Sequence, residues 1–268
     1  MQTLVKQKCA ITLEGYPIQT EISDRVYEDL LSSKSKYILF EEENNTITIK
    51  RSFFKKNKQV PNVTRFFVEL NGDEIKIDVP SEKNELVNKS EFVDDLIDTD
   101  YKNKTIAIIL ESPHIDEYEQ TKEKLIPIGT AQGQTGKKIG KSIESLILAL
   151  KEHLVIEEQH KYRIVLLNAV NFQTSLHFIH EKPMNNNYRE LRDKIWLKMW
   201  TEIPQIKMDF IKQLDSLKKD SIIINACPKS LKPLIIQEQI QFANRFSLFE
   251  CNHPSSTEIW TKSLFKLN

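Results

Sequence analysis

Cysteine is scarce in this chain. Only Cys9, Cys227 and Cys251 occur among 268 residues, and none stands in a C-x-x-C pair. A disulfide framework and a cysteine-built zinc or iron-sulfur site are therefore both disfavoured, and reduced thiols in a cytoplasm are the simpler expectation. Net charge is absent too. The 38 Lys plus Arg balance the 38 Asp plus Glu, so the whole-molecule field steers the chain neither toward nor away from nucleic acid, and any DNA contact must come from local patches. No run approaches the roughly 18 apolar residues of a membrane span. Lys6 and Lys8 interrupt the stretch where a signal peptide would carry its apolar core. A cytoplasmic protein without membrane contact is the expectation.

A nucleotide-hydrolysing P-loop is missing as well. A loop ending at Gly136-Lys137 would need glycine where Ala131 stands and serine or threonine where Lys138 stands. His153, His160, His177 and His180 show no ligand spacing with acidic partners, and no cofactor or metal is expected. Trp196 and Trp200, at i and i+4, read as helix packing.

What is present is a globular composition, 40% apolar and 28% charged, in a chain long enough for one large domain or two modest ones. The first hundred residues read mostly as strand. Thr46 to Lys50, Arg65 to Leu70 and Glu74 to Val79 alternate with period two, the last two joined through Asn71-Gly72, a hairpin signal. A short helix is expected over Arg25 to Ser32. The run Lys50 to Lys58 mixes basic and aromatic residues suited to a sugar-phosphate backbone, although an exposed hairpin tip has the same composition. Between Pro80 and Asp100 the chain turns acidic and polar, and the domain boundary is placed there. A β-rich domain over 1–95, able to contact DNA, would precede an α/β domain over 100–268.

From Lys104 strands alternate with helices. Buried strands are predicted at Lys104 to Leu110, Arg163 to Ala169, Ser221 to Asn225 and Phe246 to Cys251. Helices are predicted through Ile139 to Leu150, around Leu191 to Met199 and Ile206 to Leu217, and near Ser230 to Phe242 and Glu258 to Phe265. This rhythm predicts a three-layer α/β/α unit with a mostly parallel, four-stranded sheet whose ligands sit at the carboxyl ends of the strands. Those ends are polar: Glu111-Ser112-Pro113-His114, Asn168, Asn225 to Pro228 followed by Lys229 and Lys232, and Asn252 to Ser256. Together they offer a carboxylate, an amide, an imidazole and cations, without an obvious activated serine or cysteine.

Leu166-Leu167-Asn168-Ala169-Val170 resembles the uracil-reading strand of uracil-DNA glycosylases, and His253-Pro254-Ser255 resembles their carboxy-terminal His-Pro-Ser loop. Glu111-Ser112-Pro113 is similar to their first motif, Gln-Asp-Pro in the best-known branch and Glu-Ala-Pro in the iron-sulfur branch. Gly129 to Gly140 is similar to the glycine-rich segment that follows it in the latter. The resemblance covers about 104–268 and leaves the first hundred residues unexplained.

The resemblance implies excision of a flipped pyrimidine by direct hydrolysis of the N-glycosidic bond, with DNA as the partner and no obligate protein partner. His253 would hydrogen-bond the base carbonyl as negative charge grows on it. Asn168 would read the base edge. Glu111 would hold the water or stabilise the cationic sugar. Ser255, Ser256, Lys137, Lys138 and Lys229 would grip phosphates. Ser112 replaces the aspartate of the best-known branch, which leaves Glu111 as the catalytic carboxylate or implies lost catalysis. His114, beside Pro113, replaces a tyrosine that packs against C5 of uracil, so a C5-modified pyrimidine, such as a hypermodified phage base, is as natural a target as uracil. Two alternatives stay open: an inactive base-sensing module on the same fold, and a metal-dependent nuclease using Glu111 and His253.

Overall fold

The computed structural model of the chain describes residues 10–15, 18–32, 40–43, 45–49, 56–78, 104–120, 125–157, 159–175, 186–256 and 259–267. Most of the basic, aromatic run Lys50 to Lys58, as well as His177, His180 and the boundary segment between Pro80 and Asp100, lies outside these residues.

The amino-terminal strands β1 (Ala10–Leu13), β2 (Ile18–Glu21), β3 (Phe40–Glu43) and β4 (Thr46–Ile49) form a sheet in the order β2-β1-β4-β3, with helix α1 (Asp24–Leu31) between β2 and β3. Ser23 caps α1 through a side-chain oxygen that accepts from Val26 N at 3.3 Å. The hairpin β5 (Val63–Asn71) and β6 (Glu74–Asp78) is present but turns through Gly72-Asp73, one residue later than expected: Asn71 pairs with Glu74 at the end of β5, and Gly72, with φ +63°, takes the first loop position.

Next come β7 (Lys104–Leu110), the small ribbon β8 (Tyr118–Gln120) and β9 (Leu125–Pro127), α2 (Gln134–Lys141), α3 (Ile143–Glu152) and β10 (Lys161–Asn168). They are followed by α4 (Asn186–Glu202), α5 (Pro204–Asp215), β11 (Ile222–Asn225), α6 (Lys232–Gln239), β12 (Ser247–Glu250) and β13 (Phe265–Lys266).

The central sheet runs β13-β12-β11-β7-β10-β5-β6. Its middle four strands, β12, β11, β7 and β10, are mutually parallel, and β13, β5 and β6 add antiparallel at the two sides. The sheet therefore has seven strands where the sequence predicts four. The hairpin β5–β6, assigned by sequence to the amino-terminal domain, is hydrogen-bonded to β10, so this sheet draws strands from both sides of the 95–100 boundary.

Apolar runs without alternation need cover on both faces, and the strands receive it. Ile106, Ile108, Ile164, Leu166, Ile222 and Ile224 share one core with Ile139 of α2 and Ile143, Leu146, Ile147 and Leu150 of α3. Ala107, Ile109, Leu167, Ile223 and Leu248 share the other with Leu191 and Ile195 of α4, Phe210 and Leu214 of α5 and Ile235 of α6. The result is three layers, a mixed α/β architecture. Ile11, Leu13, Leu30, Ile47 and Ile49 belong to the second core, which ties the amino-terminal sheet to the α4 side. No helix of the described residues is long and apolar enough to cross a membrane.

Two predicted helices differ. The single helix through Ile139 to Leu150 is broken at Ser142 (φ −114°, ψ 6°) into α2 and α3, which buries both Ile139 and Ile143. The final helix near Glu258 to Phe265 is replaced by a 3-10 turn at Trp260–Ser263 followed by β13. The Trp260 side chain is wholly buried, and Ser263 Oγ donates back to Trp260 O at 2.5 Å while accepting from Asn252 N at 2.7 Å, which stops the turn there.

Candidate functional site

The parallel strands bring their carboxyl ends to one edge of the sheet, and a cavity of about 350 Å³ opens there. Its wall includes Glu111, Ser112, Pro113 and His114 after β7, Asp116 and Glu117 from the following turn, Ala131 and Gly133 to Thr135 before and at the start of α2, Arg192 of α4, and His253 and Ser255 after β12. The volume falls near the lower end of the range for small-molecule sites, about 300–1,000 Å³.

Glu111 is fixed at both ends. Its carbonyl oxygen accepts from Trp196 Nε1 at 2.7 Å and from Val170 N at 3.1 Å. Its carboxylate stands 3.1 Å from His253 Nε2 and 3.4 Å from Arg192 Nη1. Burial alone would push this carboxyl upward, but the His253 imidazole and the Arg192 guanidinium outweigh it and hold the group down at about 2. Arg192 is itself aimed by Asp193, whose Oδ1 accepts from Nε at 2.8 Å and from Nη2 at 2.6 Å; Ser230 Oγ donates to the other Asp193 oxygen at 2.7 Å.

The tautomer of His253 follows from its neighbours. Its Nδ1 accepts from the Ser255 backbone N–H at 3.1 Å, and a backbone N–H can only donate. In the neutral ring the proton therefore sits on Nε2, which faces Glu111. Ser255 Oγ lies 2.7 Å from the same Nδ1, and Ser256 Oγ donates to His253 O at 2.6 Å, so both serines shape the loop.

Beside Glu111 and the exposed Asp116, the wall holds a buried acid, Glu117, only 4% exposed. Desolvation pushes its carboxyl up to about 8, although hydrogen bonds from the Asn168 side chain and from backbone amides oppose the rise. One cavity thus holds an ionised and a protonated carboxyl at neutral pH, a separation that suits acid-base chemistry. His114 is pushed downward, chiefly by burial; its Nδ1 accepts from Asp116 N at 3.2 Å.

Of the residues singled out in the sequence, Glu111, Ser112, Pro113, His114, His253 and Ser255 line this cavity together. Asn168 stands one layer behind. It is fully buried, its Nδ2 donates to Glu117 Oε2 at 3.0 Å and to Thr130 Oγ1 at 3.3 Å, and its Oδ1 has no hydrogen-bond partner among the described residues. Ser112 Oγ shares a 2.7 Å hydrogen bond with Thr174 Oγ1. Lys138 Nζ reaches over to Ser255 O at 3.3 Å, whereas Lys137 and Lys229 lie outside the wall.

The third strand end is structural. Asn225 Nδ2 donates to Gln239 Oε1 at 3.2 Å, its Oδ1 accepts from Cys227 N at 3.1 Å, and Lys232 Nζ donates to Cys251 O at 2.6 Å. Among the described residues no three His, Cys, Asp or Glu side chains are grouped to hold a metal ion.

Two residues escaped the sequence reading. Arg192 carried a signal, because it follows Tyr188 by four and precedes Trp196 by four, a charge on the buried stripe of α4. Glu117 carried none, since an acid in a loop looks like any solvated one. The glycine-rich segment is explained by close approach: a Cβ on Gly133 would lie 2.1 Å from Asp116 Oδ2, and one on Gly136 1.8 Å from Ala131 O. Arg65 Nη2 donates to that same carbonyl at 2.8 Å. Comparison with family models, with curated proteins and with solved structures finds no match for this chain.

Proposed function

We propose that this protein is a DNA glycosylase that hydrolyses the N-glycosidic bond of a flipped-out uracil or C5-modified pyrimidine, on a uracil-DNA glycosylase-like fold. The observation that carries the proposal is the Glu111–His253 pair, 3.1 Å apart at the ends of two parallel strands and inside a cavity of ligand size. The four parallel strands between helical layers support it as well.

Breaking the bond leaves positive charge on the sugar and negative charge on the base. Glu111, ionised throughout the physiological range, faces the cationic sugar or orients the water that adds to it. Arg192 restrains the carboxylate without leaving the wall. His253 presents an Nε2–H that a base carbonyl can take over from Glu111 as charge builds on its oxygen. Loss of one such donor reduces kcat about 10²- to 10³-fold. Lys138 and Ser255 meet at the rim, where a phosphate of the strand would pass.

The test uses labelled oligonucleotides carrying uracil, mismatched thymine or C5-modified cytosines. Strand breaks at the target that appear only after alkali indicate an abasic product and support the glycosylase. Breaks without alkali that a chelator abolishes indicate a nuclease, and binding without breaks indicates a sensor; either would remove the proposal. His253→Ala should lower excision about 10²- to 10³-fold at a temperature at which circular dichroism shows the variant still folded.

A further inference from the structure

Base excision by Glu111 and His253 leaves one buried acid of the cavity without a task. Glu117 lies in the wall and forms no ion pair among the described residues: Arg192 pairs with Glu111 and Asp193, and Arg65, though close enough to attract the Glu117 charge, gives its Nη2 hydrogen bonds to Ala131 O and Gln132 Oε1. A carboxyl taken out of water without an ion pair keeps its proton and becomes a hydrogen-bond donor. Behind it, the amide of Asn168 spends its N–H bonds on Glu117 Oε2 and Thr130 Oγ1. Asn168 is no part of the wall. An amide so placed meets a ligand only through Glu117.

We propose that Glu117 is the residue that contacts the edge of the base, donating a hydrogen bond to a ring nitrogen or carbonyl of the pyrimidine, and that Asn168 is a positioning residue that holds Glu117 from behind. The inference rests on the base-excision assignment above and changes which side chain does the reading. A protonated carboxyl offers one donor and one acceptor on adjacent oxygens, the same pair an amide offers, so it can replace an amide at a pyrimidine edge. The resemblance to the uracil-reading strand is then a likeness in backbone placement, with the reading group moved forward onto the turn after β7.

The titratable groups facing Glu117 are Glu111 at the end of β7, His114 and Asp116 in its own turn, Tyr118 on β8, Arg65 on β5 and His253 across the cavity. Of these, Glu111 reinforces the upward push that burial gives Glu117. A glutamine side chain in place of the acid would keep a donor and an acceptor at every pH, so Glu117→Gln isolates this group from its neighbours.

The experiment titrates the full chain with free uracil and with free cytosine by calorimetry at pH 6.5 and pH 9, for the wild type, Glu117→Gln, Glu117→Ala and Asn168→Ala. A donor that titrates at about 8 is mostly lost at pH 9, so wild-type affinity for the preferred base should fall roughly tenfold between the two conditions. Glu117→Gln should bind equally at both, and Glu117→Ala at least about tenfold more weakly at pH 6.5. Asn168→Ala should weaken binding but keep the pH dependence. Unchanged binding by Glu117→Ala, the same pH loss in Glu117→Gln, or no binding of either base by the wild type would each overturn the inference. The oligonucleotide assay judges hydrolysis separately: alkali-dependent breaks alongside a failed titration sink the role of Glu117 and spare the glycosylase, whereas a successful titration without breaks does the reverse.

Discussion

Glu111 is a charge kept in a nearly dry place by Arg192 on one side and His253 on the other, and side chains so arranged have measurable consequences for stability. Removing one partner of a buried ion pair leaves the other uncompensated and typically costs about 3–5 kcal/mol. Arg192→Ala should therefore lower the free energy of unfolding by about that amount in urea titrations, and it should strand Asp193 as well. The two acids respond to pH in opposite senses. Glu111 is held at about 2 against an ordinary 4.5, so its folded form binds fewer protons, and its stabilisation fades as pH falls through that window. Glu117 is pushed from 4.5 to about 8, so folding retains a proton that the unfolded chain releases; the wild type should lose stability relative to Glu117→Gln as pH rises from about 4.5 to about 8, and the difference should level off beyond. Urea midpoints at pH 5, 7 and 9 check this. At this scale the sequence singled out Glu111 and His253, because both follow apolar strands where a polar side chain needs a task, and the structure brings the two together in one cavity wall. The sequence could not reveal Glu117, whose character comes from burial beside the Ala131 backbone and the Asn168 side chain, groups that follow it only later in the chain.

The helix α2 depends on the absence of side chains. It starts at a glycine without a side-chain cap, and its third residue, Gly136, lets the helix ride on the Ala131 carbonyl. Gly136→Ala would bring a Cβ within 1.8 Å of that backbone oxygen, and neither partner is a flexible side-chain tip. Overpacking of this kind typically costs about 1–3 kcal/mol. Excision should fall with it, because the displaced loop carries the Gly133 to Thr135 wall; single-turnover rates compared with the melting temperature separate the two effects. Elements made of β-branched apolar runs were legible: the strand predicted over Lys104 to Leu110 has those bounds, and the predicted hairpin is present, although it turns at Gly72-Asp73, one residue later than the Asn71-Gly72 signal. The last element was not. Its periodicity allowed a helix, but the depth of Trp260 and the serine bonds around it decide the conformation, and neither can be read locally.

For the molecule as a whole, the sheet is continued by a hairpin from earlier in the chain. Val63, Val68 and Leu70 of β5 sit in the same core as α2 and α3, and β5 covers an edge of β10. The sequence suggested a break near 95–100 from composition, yet pairing between distant strands leaves no compositional trace. A chain beginning at residue 100 would expose the β10 edge and lose that side of its core, so it should be insoluble or melt without cooperativity, whereas the full chain should unfold cooperatively.

The most direct measurement is mass-spectrometric detection of the free base released from the oligonucleotide panel by the full chain and by Glu111→Gln. The wild type should release one pyrimidine-type base and leave an intact abasic strand, and the variant should do so at least about 100-fold more slowly. Release of no base from any substrate, or equal release by the two proteins, would contradict the account.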